Sequence, residues 1–246
     1  MKHHFEVKVP GGKLVVVDVT TEDDTITGLQ VSGDFFIDPD EAFLALGSAL
    51  NGASVKDPAS ELTRRFDAVL APFGEGLEFH GFTTADIAQA VRRAVSGGTD
   101  FTDHEWEILQ PGVLPTPVNV ALDDLLLEQV ATGQRPPTLR FWEWDDRAIV
   151  MGSFQSYVNE IDAEGVEEHG VTVVRRMSGG GAMFMEGGNC ITYSLYAPDS
   201  LVAGLSYEDS YEYLDRWVLA ALAQHGVDAW YVPINDITST GGKIGG

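Results

Sequence analysis

Cysteine occurs once in the 246 residues, at Cys190. No intramolecular disulfide can form, and a cysteine-based zinc site is not expected. Lysine is almost as scarce: Lys2, Lys8, Lys13, Lys56 and Lys243 are the whole set. Lysine and arginine together number 15 against 38 aspartates and glutamates, a net charge of −23. Such a surface repels nucleic acid and anionic membranes, so neither is expected as a partner. No apolar run approaches the ~20 residues that cross a bilayer. The opening residues, Met1-Lys2-His3-His4-Phe5-Glu6, lack the apolar stretch of a secretion signal, and the cytoplasm is the expected location. The histidines (His3, His4, His80, His104, His169, His225) form no i, i+4 pair, so no zinc site is expected from them either.

The acidic surplus has two readings. It is an adaptation to high salt, where screening removes the repulsion between carboxylates, or it is a face that excludes acidic partners. Either way, a lysine kept beside a glycine-rich turn in so lysine-poor a chain draws notice. The apolar fraction, 44%, is that of an ordinary globular protein with a sizeable core.

Patterning divides the chain. In residues 1–97, Phe5 to Val9, Lys13 to Val19 and Thr25 to Val31 read as strands around a Pro10-Gly11-Gly12 turn. Pro39 opens a helical pattern with Ala42, Phe43, Leu46 and Leu50 on its apolar side. Further helices are expected near Ala59 to Leu70 and from Thr83-Thr84, the latter carrying Ile87, Ala90, Val91 and Val95. This is a small α+β unit without a cluster of catalytic residue types. Residues 98–116 read as a linker, from Gly97-Gly98-Thr99 to the proline-rich Pro111 to Pro117 stretch. In residues 117–246, Asn119 is the expected N-cap of a helix carrying Leu122, Leu125, Leu126 and Val130. Strands are expected at Thr138 to Trp144, Ala148 to Gly152, Val171 to Arg176 and Ile191 to Tyr196. A short helix is expected from Asp162 to His169. A long helix runs from Ser206 or Tyr207 to Gln224, with Tyr211, Leu214, Trp217, Val218 and Ala221 at helical spacing; for Tyr207 to Trp217 that spacing points to core packing rather than an aromatic cofactor box.

Two stretches carry chemistry. In Arg175-Arg176-Met177-Ser178-Gly179-Gly180-Gly181, three glycines after a strand remove every Cβ from a turn, which lets backbone N–H groups approach an anion. Strand alternation sends the two arginines to opposite faces, and a guanidinium fork suits phosphate or carboxylate. Ser178 adds a hydroxyl. The same residues also suit a plain hairpin with an arginine in a surface ion pair. The second stretch is Asn235-Asp236 followed by Gly241-Gly242-Lys243-Ile244-Gly245-Gly246. Its lysine is a compact point charge with unobstructed access to an anion, and Asn235 and Asp236 have the donor types for a ligand or a magnesium ion. A polar turn between strands is the open alternative.

Together these stretches resemble the lipoate–protein ligase family. Arg175 to Phe184 with Gly188-Asn189 is similar to the family's lipoate-binding loop. Ile234 to Ile237 and Gly242 to Gly245 are similar to its Asn-Asp and Lys-Ile/Val-x-Gly elements. Ala121-Leu122-Asp123, Leu139 to Trp144 and Gly152-Ser153-Phe154-Gln155 occur in matching order. The resemblance implies an α+β, class II synthetase-like biotin/lipoate ligase fold, with a mixed sheet flanked by helices. Val9 to Val15 and Val31 to Phe36 resemble the family's small accessory domain. That domain follows the catalytic one in well-known members; here it precedes it.

The resemblance further implies ATP-dependent formation of lipoyl-adenylate from lipoate, with Mg2+. The acyl group then passes to a lysine of an apo lipoyl domain, of a 2-oxoacid dehydrogenase E2 subunit or a glycine cleavage H protein. Lys243 would be catalytic, contacting the α-phosphate and the carboxylate. Arg176 would contact ATP. Ser178, Gly179, Gly180, Gly181, Ala182, Met183, Phe184 and Asn189 would line the nucleotide and lipoyl pocket. Asn235 and Asp236 would place the phosphates, Asp236 with the metal. Where many members carry a histidine after the loop's aromatic, this chain has Met185. The sequence also stops at Gly246, before further strands and a helix of the family, so an incomplete or truncated protein is expected. Two alternatives stay open. An octanoyltransferase of the same fold would need a cysteine thioester; Cys190 is the sole candidate, but it follows Gly188-Asn189 at the start of an expected strand and not at the position that resembles the transferase nucleophile. A truncated, non-catalytic lipoate- or nucleotide-binding protein would bind without turnover. The Gly-Arg-Gly-Arg loop of biotin ligases is absent.

The charge balance yields a direct expectation. Thermal unfolding followed from low salt to about 1 M KCl, where the screening length falls to about 3 Å, should show a rising midpoint. An unchanged midpoint would favour the partner-excluding face instead.

Overall fold

The computed structural model describes residues 1–246. Two compact units emerge: Met1–Asp100 with Asp199–Gly246, and Phe101–Pro198. In the first, β1 (Lys2–Lys8), β2 (Leu14–Glu22) and β3 (Thr25–Gly33) form an antiparallel meander in chain order. Its register sets Val17 between Phe5 and Val31. Side chains two apart share a face, so Val15, Val17 and Val19 all reach the core, and all are buried. β4 (Phe36–Asp38), α1 (Asp40–Leu46), α2 (Ala59–Leu70), β5 (Glu78–His80) and α3 (Thr84–Val95) follow. Helical spacing turns Leu62, Phe66 and Leu70 of α2, and Ile87, Val91 and Ala94 of α3, into the same core. A capping box opens α3: Thr83 Oγ1 accepts the Asp86 N–H, and the Asp86 carboxylate accepts the Thr83 N–H. Phe43 departs from expectation. Ala42, Leu46 and Leu50 are buried, but Phe43 is 37% exposed on the short α1 with its ring 6.2 Å from that of Phe35.

The second unit holds β6 (Glu107–Leu109), β7 (Val113–Leu114), α4 (Thr116–Ala131), β8 (Thr138–Trp144) and β9 (Arg147–Met151). After these come α5 (Tyr157–Glu160), α6 (Ala163–His169), β10 (Thr172–Arg175), β11 (Met183–Glu186) and β12 (Thr192–Tyr196). β8 pairs antiparallel with β12 and parallel with β6 and β7. β9 lies between parallel β10 and antiparallel β11. The architecture is thus α+β with mixed sheets. The stretch 98–116, expected as a linker, supplies β6 and β7 to the β8 sheet.

The expected cap at Asn119 is corrected. The helix starts at Thr116, with a proline in its first turn, and Asn119 lies inside it, fully buried. Its side chain does other work. Nδ2 donates to the carbonyls of Leu114 (3.1 Å) and Glu143 (3.0 Å), and Oδ1 accepts from Arg140 at 2.6 Å. Arg140 is itself fully buried. It donates to the Asn119 carbonyl at 2.9 Å and lies over the Trp142 ring, 4.4 Å from its centre. One turn on, Asp123 accepts from Ser194 Oγ at 2.6 Å and from the Tyr196 hydroxyl. Trp142 and Trp144 donate to Ser194 and Thr192, each at 3.0 Å. Buried polar groups that lack such partners are costly, so this lattice fixes α4 against β8 and β12.

The chain's last segment, in the first unit, contains α7 (Tyr207–Gln224), β13 (Ala229–Val232), β14 (Asp236–Ser239) and β15 (Gly242–Gly245); the three strands form an antiparallel sheet in that order. Ser206 caps α7 by accepting the Asp209 N–H. The core role expected for Tyr207 to Trp217 is corrected: no α7 residue is fully buried, and Tyr207 is exposed. Instead Tyr213 and Arg216 grip Asp100, at 3.0 Å each, so part of the helix faces a polar bracket. No helix is long and apolar enough to cross a membrane.

Asn119→Ala leaves a buried guanidinium short of an acceptor. It should destabilise the protein by about 3 kcal/mol, the scale for hydrogen bonds to charged groups. Chemical denaturation measures this, and a loss within a few tenths would show that the lattice does not depend on Asn119.

Candidate anion cradle and lysine hairpin

β10 ends at Arg175, and the chain then turns through Arg176 to Ala182 before β11 begins at Met183. Glycine is required at Gly180, where φ is +90°, a conformation that residues with a Cβ rarely adopt. It is required again at Gly152 beyond β9. A Cβ there would stand 2.1 Å from the Gly180 carbonyl oxygen. At this point the two turns touch backbone to backbone.

The adjacent arginines each organise one turn. Arg175 Nη1 donates to the carbonyls of Gly152 (2.8 Å), Ser153 (3.2 Å) and Gln155 (2.7 Å). Arg176 donates from Nη2 to the carbonyls of Gly179 and Gly181 (2.9 Å for the latter), from Nη1 to Val150 (3.1 Å), and from Nε to Ser178 Oγ (3.1 Å). Neither has a carboxylate within ion-pair distance, in a chain with 38 of them. Partial burial holds the Arg176 pKa below its ordinary value.

Peptide planarity gives these contacts a consequence. In a trans peptide the C=O and the following N–H point in opposite directions. With the Gly179 and Gly181 carbonyls drawn to Arg176, the N–H groups of Gly180 and Ala182 are turned away from it. No protein acceptor meets the backbone N–H groups of Ser178 to Ala182, and all five residues are exposed. Unpaired N–H donors, two of them turned outward, make this turn a candidate anion cradle. Arg176, expected to contact a nucleotide, has its Nε, Nη1 and Nη2 donors turned to protein oxygens of the turn and of β9.

The remaining expected residues fall as follows. Met183 and Phe184 are exposed at the start of β11, beside the cradle. Asn189 is tied to the hairpin, donating to Glu186 at 2.6 Å, and Glu186 pairs with Arg147 at 2.6 Å. Lys243 lies on β15 opposite Thr238, and its Nζ donates to Asp236 at 2.6 Å. Asn235 is exposed just before β14. The cradle belongs to the Phe101–Pro198 unit, and Asn235, Asp236 and Lys243 to the other. No group of three or more His, Cys, Asp or Glu side chains is gathered for a metal. Asp236 with its lysine fits a magnesium ion only if a ligand's phosphates supply further oxygens. Cys190 is half-buried against the Trp142 and Trp144 cluster, with its Sγ 3.7 Å from Met185 Sδ and 3.8 Å from the Glu186 carbonyl.

The sequence reading missed the Arg175 fan and the Asn119–Arg140 lattice. A signal for the second was available: Asn119 and Asp123 are four apart, so both face one side of α4.

Residues 115–246 match the family model described as the lipoyl protein ligase A/B catalytic domain, and the chain belongs to that family. It is 37% identical over 126 residues to octanoyltransferase LipM of Symbiobacterium thermophilum, a match over 50% of this chain and 44% of that protein. To octanoyltransferase LipM of Geobacillus kaustophilus it is 32% identical over 127 residues, 51% of this chain and 45% of that one. The chain thus spans under half the length of these relatives. Among solved structures, a bi-partite lipoate protein ligase of Thermoplasma acidophilum is 25% identical with a TM-score of 0.48, over 57% of this chain and 53% of that chain.

Arg176→Met should free the turn. Backbone 15N order parameters at Gly179 to Gly181 are expected to fall from about 0.85 to below about 0.6. Unchanged values would show that Arg176 is not what holds it.

Proposed function

We propose that this catalytic segment forms an amide between a medium-chain acyl group of the lipoate class and the lysine of an acceptor domain such as a lipoyl domain. The observation that carries it is the row of free N–H donors at Ser178 to Ala182, set over Arg176 and flanked by the exposed apolar Met183 and Phe184. Such donors stabilise an anionic head group or a developing oxyanion, and apolar side chains suit an acyl tail. The acceptor amine attacks the acyl carbonyl carbon. A C–N bond forms, and the bond from that carbon to the activating group breaks.

Octanoyl transfer is the leading reading for how the acyl group arrives activated, because the similar curated proteins bear that name. It needs a thiol to carry the acyl group, and Cys190 is the sole thiol of the chain. The second reading is ATP-dependent activation, with acyl-adenylate formed and pyrophosphate released. It is favoured by the setting of Cys190, which packs against sulfur and indole and has no basic side chain as a hydrogen-bond partner. In that reading Lys243 leaves Asp236 for the α-phosphate, Mg2+ comes with the nucleotide, and the first hundred residues support adenylation as an accessory domain.

One experiment separates them. An apo lipoyl domain is offered either octanoyl-carrier protein without ATP, or octanoate or lipoate with MgATP, at high salt. The transfer reading expects an amide product in the first arm, an octanoyl adduct on Cys190 by intact mass, and loss of both in Cys190→Ser. The ATP reading expects pyrophosphate and product in the second arm only, lost in Lys243→Ala and retained in Cys190→Ser. A folded protein inactive in both arms would leave the non-catalytic binding protein as the better account.

A further inference from the structure

We propose that Phe154 is a chain-length-determining wall of the acyl site and that Arg175 is the residue that positions it; this rests on the acyl-transfer reading above. Phe154 is 94% exposed, the most exposed of the chain's aromatic residues. An aromatic ring in water is ordinarily unremarkable on a mobile loop, but here the backbone on both sides of Phe154 is held by hydrogen bonds at Gly152, Ser153 and Gln155. Arg175 collects the carbonyls of Gly152, Ser153 and Gln155 on one nitrogen. Gln155 folds its side chain back so that Oε1 accepts the Gly152 N–H at 2.9 Å. The Ser153 N–H donates to the Ser178 carbonyl at 2.9 Å, which ties the loop to the cradle. Phe154 stands at the apex of this clamp.

Its ring is aimed at the cradle. A Cβ placed on Gly179 would lie 3.7 Å from Phe154 Cδ2, ordinary van der Waals contact. The absent side chain at Gly179 therefore leaves a shallow slot between ring and turn. Met177 (53% exposed) and Phe184 (60%) add apolar surface on the same turn and its outgoing strand. Fixed apolar surface beside free N–H donors fits a ligand with an anionic or carbonyl head and an alkyl tail. A ring carried at the rim on a held backbone would limit how far that tail extends, since apolar pockets discriminate methylenes by size. Arg175 touches backbone oxygens and no candidate ligand group, so its part is positioning.

The test uses the full chain with butyryl, octanoyl and dodecanoyl donors, in whichever activation arm supports turnover. Phe154→Ala is expected to raise the dodecanoyl-to-octanoyl rate ratio about tenfold, the lower end of what pocket size commands. Phe154→Trp should lower it. Arg175→Lys keeps the charge but not the three-carbonyl fan, and should move the ratio the same way as Phe154→Ala, with its unfolding midpoint recorded alongside. Equal scaling of all three donors in Phe154→Ala and Arg175→Lys, with the ratio unmoved, would overturn the inference and leave the acyl-transfer reading intact. A wild-type protein that transfers none of the donors would sink that reading, and this inference with it.

Discussion

Two consecutive guanidiniums bonded to backbone carbonyls are what the candidate site depends on. Arg175 ends β10 and Arg176 follows it, and each draws several carbonyls of a different turn toward itself. Carbonyls satisfied inward mean N–H groups presented outward, because the peptide unit is rigid. The cradle is thus made of backbone but oriented by side chains. That both arginines avoid carboxylates is informative in so acidic a chain. Ion-paired guanidiniums would have their charge neutralised; these direct it to the carbonyls of the two turns.

Beneath the site the same device recurs in the interior. Arg140 on β8 is buried without an acidic partner and leans on the carbonyl and amide oxygen of Asn119 and on the Trp142 ring. Burying a charge is expensive unless hydrogen bonds replace its hydration. Here a helix side chain supplies them while also holding the carbonyls of Leu114 and Glu143. The placement of α4 on the sheet follows from these few directional contacts as much as from apolar packing, for Leu125 and Leu127 on that helix remain partly exposed.

The first hundred residues were the most legible in sequence. The alternation at Val15, Val17 and Val19, the helix at Ala59–Leu70 and the capping box at Thr83 all rest on local periodicity or local hydrogen bonds, which a one-dimensional pattern records. The glycine turn and the lysine element could be named from residue order. Their geometry could not, because which carbonyls an arginine collects depends on a neighbouring strand some twenty residues away. Asn119 illustrates the failure well. As a residue type it suits a helix start, and only its buried tertiary partners make it an interior hub. The stripe on α7 failed for the opposite reason: periodicity shows which residues share a face, but not whether anything closes over that face.

Gly152 and Gly180 meet with no room for a methyl group between them. The two turns are therefore not free to diverge separately. A side chain gained at position 152 must displace the peptide at Gly180, and with it the direction of the N–H donors; a change at one turn is heritable only with compensation at the other. Novelty in this region is channelled to the solvent-facing positions between the glycines, such as the exposed Phe154. The backbone of this site is its frozen part, and its apolar rim is the part open to adaptation.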